Sequence, residues 1–306
     1  MENMYLQSAG GGKIYCRVWE PDGAPRAILQ IVHGIAEHVD RYDGFARFLN
    51  SKGILVVADD HMGHGKSIGE GDTQGFFRGG WDAAVTDSRQ LQETVMKAYP
   101  NVPCFLLGHS MGSFMARTML FRYPDSGIRG AIISGTGWQP AVMLKAGLAL
   151  CRREEKRYGE RSTSAALNQV VFGSYNKKFR PNRTDYDWLC TDEAVVDRYI
   201  EDPLCGFDAT IGLARDMLTG ISLIERKENL ARMNKELPVW FFSGDRDPVG
   251  NMGKGVRQSA EAFRKAGMKH VSVTLYCGRH EMLNEQNKEQ VYADVLRWIE
   301  RIIEPA

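Results

Sequence analysis

Cys104-Phe105-Leu106-Leu107-Gly108-His109-Ser110-Met111-Gly112-Ser113-Phe114 carries the strongest local signal in this chain. An apolar run, Cys104–Gly108, passes through a G-x-S-x-G turn into the helix-like stretch Met111–Tyr123. The five-residue pattern is weak alone, because glycine and serine are common. A strand before it and a helix after it supply the context it requires. Glycines are needed because the serine sits in a strained turn where neighbouring side chains would collide. Such a turn exposes the Ser110 hydroxyl above a sheet and places the Met111 N–H at a helix start, facing the reacting atom. Ser110 is therefore the candidate nucleophile.

Outward from this turn, the chain alternates between two patterns. Ala27–Val32, Ile54–Ala58, Cys104–Gly108, Gly130–Ser134, Val239–Ser243 and Val271–Tyr276 are short, mostly apolar runs. Runs apolar on both faces suit strands of a parallel sheet covered on both sides. Met4–Ser8 and Lys13–Trp19, separated by Ala9-Gly10-Gly11-Gly12, read as a hairpin and bring the strands to eight. Tyr42–Ser51, Trp81–Tyr99, Met111–Tyr123 and Asn284–Ile303 carry apolar residues at helical spacing. This alternation predicts an α/β protein with a mostly parallel eight-stranded sheet and helices on both faces. Trp138–Asp216 breaks the alternation, with helical pieces at Pro140–Arg153 and Asp192–Glu201. It reads as a helical cap (residues 138–216) inserted into a core made of residues 1–137 and 217–306.

The bulk properties set wider bounds. The 306 residues are 43% hydrophobic and 25% charged, with a formal net charge of +1. That is an ordinary globular composition, large enough to bury a core without a metal or disulfide staple. The charge balance gives no reason to expect nucleic acid as a partner. Cys16, Cys104, Cys151, Cys190, Cys205 and Cys277 are scattered without a C-x-x-C pair. They read as reduced, mostly buried thiols of a cytoplasmic protein. The sequence lends no support to a Cys190–Cys205 bridge. Glu2–Ser8 resembles a protease-cleavage tag with two departures and reads better as a native first strand. No signal peptide is expected, and no run approaches the ~18 apolar residues that span a bilayer.

A serine hydroxyl needs a base to take its proton. The strand-turn-helix context resembles that of the α/β-hydrolases, where the partners follow in the order Ser, Asp or Glu, His. Only His270 and His280 lie beyond Ser110. His270 precedes the last strand and belongs at the opposite edge of the sheet. His280, in Gly278-Arg279-His280-Glu281, follows that strand and is the candidate base. Asp245 and Asp247 both follow the strand Val239–Ser243, so either could orient the imidazole. Oxyanion stabilisation needs pre-aimed N–H donors. Met111 supplies one. The loop His33-Gly34-Ile35 after the third strand supplies the other, assigned to Ile35, with His33 bracing the turn.

Two further clusters have bland readings. His61-Met62-Gly63-His64 contains H-x-x-H but lacks carboxylates at ligand spacing, so no metal is expected there. The glycines around it do not form a phosphate loop. Arg152-Arg153-Glu154-Glu155-Lys156-Arg157 reads as a solvated helix face.

The motifs together resemble the monoglyceride lipase and lysophospholipase group of α/β-hydrolases, which borders the serine aminopeptidases of proline-iminopeptidase type. The matching pieces are His33-Gly34-Ile35-Ala36-Glu37-His38 with Arg41-Tyr42, Asp60–Ser67, Gly108–Gly112, Gly244–Val249 and Gly278–Glu285. Ile35 is bulkier than the family's usual alanine, and Met62 stands where arginine is common. The resemblance implies the α/β-hydrolase fold, Asp247 as the acid, Ile35 and Met111 as oxyanion donors, and no cofactor. It implies hydrolysis of a small-molecule ester, monoacylglycerol or lysophospholipid in type. The alternative is an aminopeptidase or amidase, with Glu193, Glu201, Asp197 or Asp208 holding a free amine. Ala141–Leu150 is apolar around a single lysine and runs into Arg152-Arg153. It is expected to pack on the core, to line an acyl passage through Leu144 or Leu148, or to make weak contact with a membrane surface.

Overall fold

A computed structural model describes residues 2–304 apart from 172 and 174. One eight-stranded sheet forms its frame: β1 (Met4–Gln7), β2 (Lys13–Trp19), β3 (Ala27–Val32), β4 (Ile54–Asp59), β5 (Cys104–His109), β6 (Gly130–Ser134), β7 (Val239–Gly244) and β8 (Val271–Tyr276). The spatial order is β1-β2-β4-β3-β5-β6-β7-β8. β2 runs antiparallel to β1 and β4, and all other neighbours are parallel. The expected strands appear with ends displaced by at most one residue.

Side-chain alternation divides the core between the two faces. Ile28, Val32, Leu106, Ile133 and Phe241 meet α2 (Gly80–Ala98), α3 (Met111–Arg122) and α9 (Lys254–Lys265). Leu29, Ile31, Phe105, Leu107, Ile132 and Phe242 meet α1 (Asp43–Asn50) and α10 (Lys288–Ile303). Burying each such side chain contributes roughly 1.5–3 kcal/mol. Gln30 is the polar exception in β3. Its amide donates to the Ser88 carbonyl at 2.7 Å and accepts from Gln92 at 3.0 Å, so it is buried without an orphaned group.

Between β6 and β7 stand α4 (Ala141–Tyr158), α5 (Ala165–Val171), α6 (Glu193–Glu201), α7 (Ile211–Ile224) and α8 (Lys227–Arg232). Trp188, Leu189, Cys190, Val195, Val196 and Tyr199 form a small core of their own, closed by Cys205 and Val249. α7 buries Leu213, Met217 and Ile221 in the main core. Residue 216, where the sequence ends the insertion, therefore lies inside a continuous helix. Asp216 is buried there against Arg215 at 3.1 Å. On α4, Leu144, Gly147 and Cys151 face inward while Val142 and Met143 are exposed. α10 starts later than expected because Asn284 and Glu285 are drawn into side-chain bonds with Glu281, Arg279 and Thr191. Among the described residues, no helix is long and apolar enough to cross a membrane.

The strand order and the serine turn after β5 make this the α/β-hydrolase fold. One tight joint lies between α3 and β3. A Cβ on Gly112 would stand 2.0 Å from the Val32 carbonyl oxygen. Gly112→Ala should therefore lower stability by about 2–4 kcal/mol, at or beyond the usual overpacking range. Chemical denaturation measures this, and a loss under ~0.5 kcal/mol, the level of a surface change, would contradict so close an approach.

Candidate active site

Strand register assembles the site. Val32 of β3 pairs with Gly108 of β5, and His109 pairs with Ser134 of β6. The loop 33–35 and the turn at Ser110 therefore leave the sheet side by side. β3 lies between β4 and β5, where successive connections part to opposite faces, and such a switch point opens a crevice. Ser110 has φ 53° and ψ −122°, a left-handed conformation costly for a residue with a Cβ. Bonds on both sides hold it: its N–H donates to the Ser134 carbonyl at 3.0 Å, and its carbonyl accepts from the Ser113 N–H at 2.9 Å.

His280 and Asp247 meet although they are distant in sequence. Nδ1 of His280 lies 3.0 Å from Oδ1 of Asp247, and both side chains are buried. Asp247 also accepts from the Ser243 hydroxyl at 2.6 Å and the Val249 N–H at 2.9 Å. Burial opposes its charge, but the His280 cation and these donors outweigh burial and hold the carboxyl below its usual range. Burial likewise opposes a charged His280, yet the Asp247 carboxylate raises its pKa above the ordinary histidine value. The Nδ1 proton directed at Asp247 leaves Nε2 with a lone pair.

The neighbouring candidates fall elsewhere. Asp245 is exposed, and its carboxylate accepts from the Gly278 N–H at 3.2 Å, bracing the turn. His270 is exposed beside Glu236 at the far end of β8. Glu193 and Asp197 pair with Arg183, and Glu201 is exposed. Of the four carboxylates considered for an amine, Asp208 alone lines the site. All six cysteines are free; Cys277 is exposed and the rest are buried.

Two cavities converge on Ser110, Ile35 and Trp188. One, of about 470 Å³, is the more polar of the two and is bounded by His109, Tyr199, His280 and Asp208. The other, of about 130 Å³, is lined by Met111, Phe114, Leu144, Met217, Leu218, Ile221 and Val249. Leu144 thus faces the site, whereas Leu148, its expected companion, does not. Leu148, one turn along the helix from Leu144, is half-buried outside that lining. Among the described residues, neither the Ile35 nor the Met111 N–H has a protein acceptor.

A buried ionic network, unread from sequence, ties the loops together. Oε1 of Glu37 accepts from the Gly34 N–H at 2.6 Å and the Tyr42 hydroxyl at 2.9 Å. Arg41 donates to Glu37 at 2.8 Å and forks onto Glu281 with two bonds of 2.7 Å. Its guanidinium also lies over the Tyr199 ring at 4.8 Å. The signal was present in the Glu37, Arg41 and Glu281 motif positions, but their union across 240 residues is tertiary.

The histidines behind the loop are structural in contact. His33 takes the Gly34 carbonyl at 2.7 Å on Nδ1 and the His61 N–H at 3.1 Å on Nε2. Burial and the neighbouring His61 depress its pKa well below 6.5. Both nitrogens of His61 are occupied, by Asp59 and the His33 carbonyl, each at 3.1 Å. A separate trio, His38, Asp202 and Cys205, brings its donor atoms within 4.8 Å of one another. Two of them already bond each other, Nε2 of His38 to Asp202 at 2.9 Å.

The chain is similar to known proteins along most of its length. Residues 23–287 match the family model described as serine aminopeptidase, S33. The monoglyceride lipase of Mus musculus is 29% identical over 306 residues, covering 99% of this chain and 91% of that protein. The monoacylglycerol lipase of Mycolicibacterium smegmatis is 29% identical, covering 95% of this chain and 94% of that protein. A thermostable carboxyl esterase from Bacillus coagulans, solved in complex with glycerol, superposes with a TM-score of 0.91 at 28% identity over 98% of both chains. The chain belongs to the serine aminopeptidase S33 family.

Proposed function

We propose that this protein is a serine hydrolase that cleaves carboxylic esters of monoacylglycerol type through an acyl-enzyme. The observation that carries the reading is the buried Asp247–His280 pair beside a strained Ser110, where a polar and an apolar cavity meet. In this reading Ser110 Oγ attacks the ester carbonyl while His280 Nε2 takes its proton. The N–H groups of Ile35 and Met111 hold the oxyanion. Collapse of the intermediate expels the alcohol, which receives the proton from His280. Water then repeats the cycle and frees the acid. Asp247 keeps the imidazole in one tautomer and stabilises its cation.

The acyl group occupies the apolar cavity and the alcohol the polar one, with residues 138–216 serving as the cap. The monoglyceride lipases among the relatives, and the glycerol complex of the esterase, support a glycerol ester. The aminopeptidase alternative needs a carboxylate for the free amine on the acyl side, and among the described residues the apolar cavity has none. Exposed Val142 and Met143 give α4 a surface for weak contact with lipid. The free cysteines suit a reducing, cytoplasmic setting.

A fluorophosphonate probe should label the protein at Ser110. Ser110→Ala should abolish both labelling and monoacylglycerol turnover, by about 10⁴-fold or more. Labelling that survives this substitution would identify a different nucleophile.

Asp247→Asn should lower kcat/KM by about 10³–10⁴-fold, and Asp245→Asn by less than roughly tenfold. The pH profile separates a positioning role from general damage. His280 must be neutral to act, and its pKa is raised, so activity should appear with a midpoint above pH 6.5. Residual activity of Asp247→Asn should rise at lower pH, because the charge favouring the imidazolium is gone. Equal losses in the two variants, or a midpoint that Asp247→Asn leaves in place, would contradict the assignment.

Leu144→Trp should fill the apolar cavity and shift preference toward shorter acyl chains while largely sparing acetate esters. kcat/KM across a series of acyl lengths measures it. A uniform fall at every length would indicate a damaged core.

A further inference from the structure

The polar cavity has an unusual charge. Four carboxylates line it, those of Glu37, Asp185, Asp208 and Glu281. Among the described residues no lysine or arginine does. Arg41 lies behind the wall and is shared between Glu37 and Glu281. It leaves Asp185 and Asp208 unopposed. Both are exposed, and neither receives a hydrogen bond or ion pair from a described residue. They flank Tyr186, whose hydroxyl pKa is raised by burial and then by the charges of Asp208 and Asp185. His109 adds no positive charge. It is buried, its pKa is depressed to about 4 by burial and by His280, and its Nε2 has no described partner in this wall. Tyr186, Tyr199, Trp188 and Phe207 complete the lining with aromatic rings.

Carboxylates and ring faces together attract an ammonium group, and a concave wall focuses their field. The same field repels a phosphate, which would find no cation to neutralise it. We propose that the alcohol end of this site selects esters by charge. It takes an ammonium-bearing alcohol, accepts a neutral one and rejects a phosphate-bearing one, with Asp185 and Asp208 as the specificity-determining residues. The proposal rests on the ester-hydrolase reading above. It favours neutral glycerol esters over lysophospholipids and adds quaternary-ammonium esters as a substrate class.

Three hexanoyl esters, monomeric in solution and differing in the alcohol alone, test it: hexanoylcholine, 1-hexanoylglycerol and 1-hexanoylglycerol 3-phosphate. Hexanoylcholine should show the lowest KM, rising with salt as screening sets in. The phosphate ester should have a kcat/KM at least about tenfold below that of the glycerol ester. Asp185→Asn combined with Asp208→Asn should raise KM for hexanoylcholine about five- to tenfold more than KM for the glycerol ester, and should improve kcat/KM for the phosphate ester relative to the glycerol ester. An unchanged KM for hexanoylcholine in this variant would overturn the proposal. So would wild-type turnover of the phosphate ester equal to that of the glycerol ester. Absence of turnover on the glycerol ester would instead overturn the hydrolase reading beneath it.

Discussion

The Arg41 guanidinium is the joint on which the site depends. Only 11% of the Arg41 side chain is exposed, and a charge so largely buried is costly unless paired and hydrogen-bonded. Here one cation serves two carboxylates: Glu37 at 2.8 Å, and Glu281 through a fork of two 2.7 Å bonds. Glu37 in turn fixes the Gly34 N–H, and so the loop that presents Ile35. Glu281 follows His280 directly. The ion pair thus sets the distance between the proposed oxyanion donor and the proposed base. Tyr199 of α6, stacked on the same guanidinium, brings the insertion into this arrangement. Removing one member of such a set leaves a stranded charge, which typically costs about 3–5 kcal/mol. A rearranged loop is a more economical response than a stranded ion. Damage here would therefore appear first as misplacement of the site.

The histidine layer beneath this joint works by a different rule. His33, stacked on His61 at 3.9 Å, is held neutral by burial and by its neighbour. His61 is raised by Asp59 against the pull of burial. Each ring therefore presents a fixed pattern of donors and acceptors to the backbone. That pattern joins the end of β3 to the loop after β4. Asp60 completes the brace by accepting from the Val39 and Lys66 N–H groups at 2.9 and 2.8 Å. Charge near the chemistry is thus kept in specified pairs, while the cavity above carries a net negative excess.

Much of this was legible in the sequence, for reasons that differ by element. The strands were readable because buried parallel strands are apolar on both faces, and Ala27–Val32 shows this despite Gln30. The serine turn was readable because its glycines answer a local steric demand. α9 was passed over although Val256, Ala260 and Phe263 mark a helical stripe, since its polar majority masks these three among its inward positions. The boundary read at 216 lies inside α7, where Asp216 is buried against the neighbouring arginine. The choice between Asp245 and Asp247 rested on family pattern; what separates them in space is the approach of β7 and β8. The union of Arg41 with Glu281 could not be read locally, because nothing near either residue specifies the other.

The left-handed backbone at Ser110 sets the proposed nucleophile against the fold that holds it. A residue with a Cβ at φ 53° sits at a cost of order 1–3 kcal/mol, and glycine would relieve most of it. The chain would thus be more stable without its reactive hydroxyl. Drift toward stability at this one position leads to an inert homologue with an intact fold. Chains of this architecture that have lost their chemistry should accordingly be sturdy proteins, with a cavity still suited to the ligand they no longer cleave.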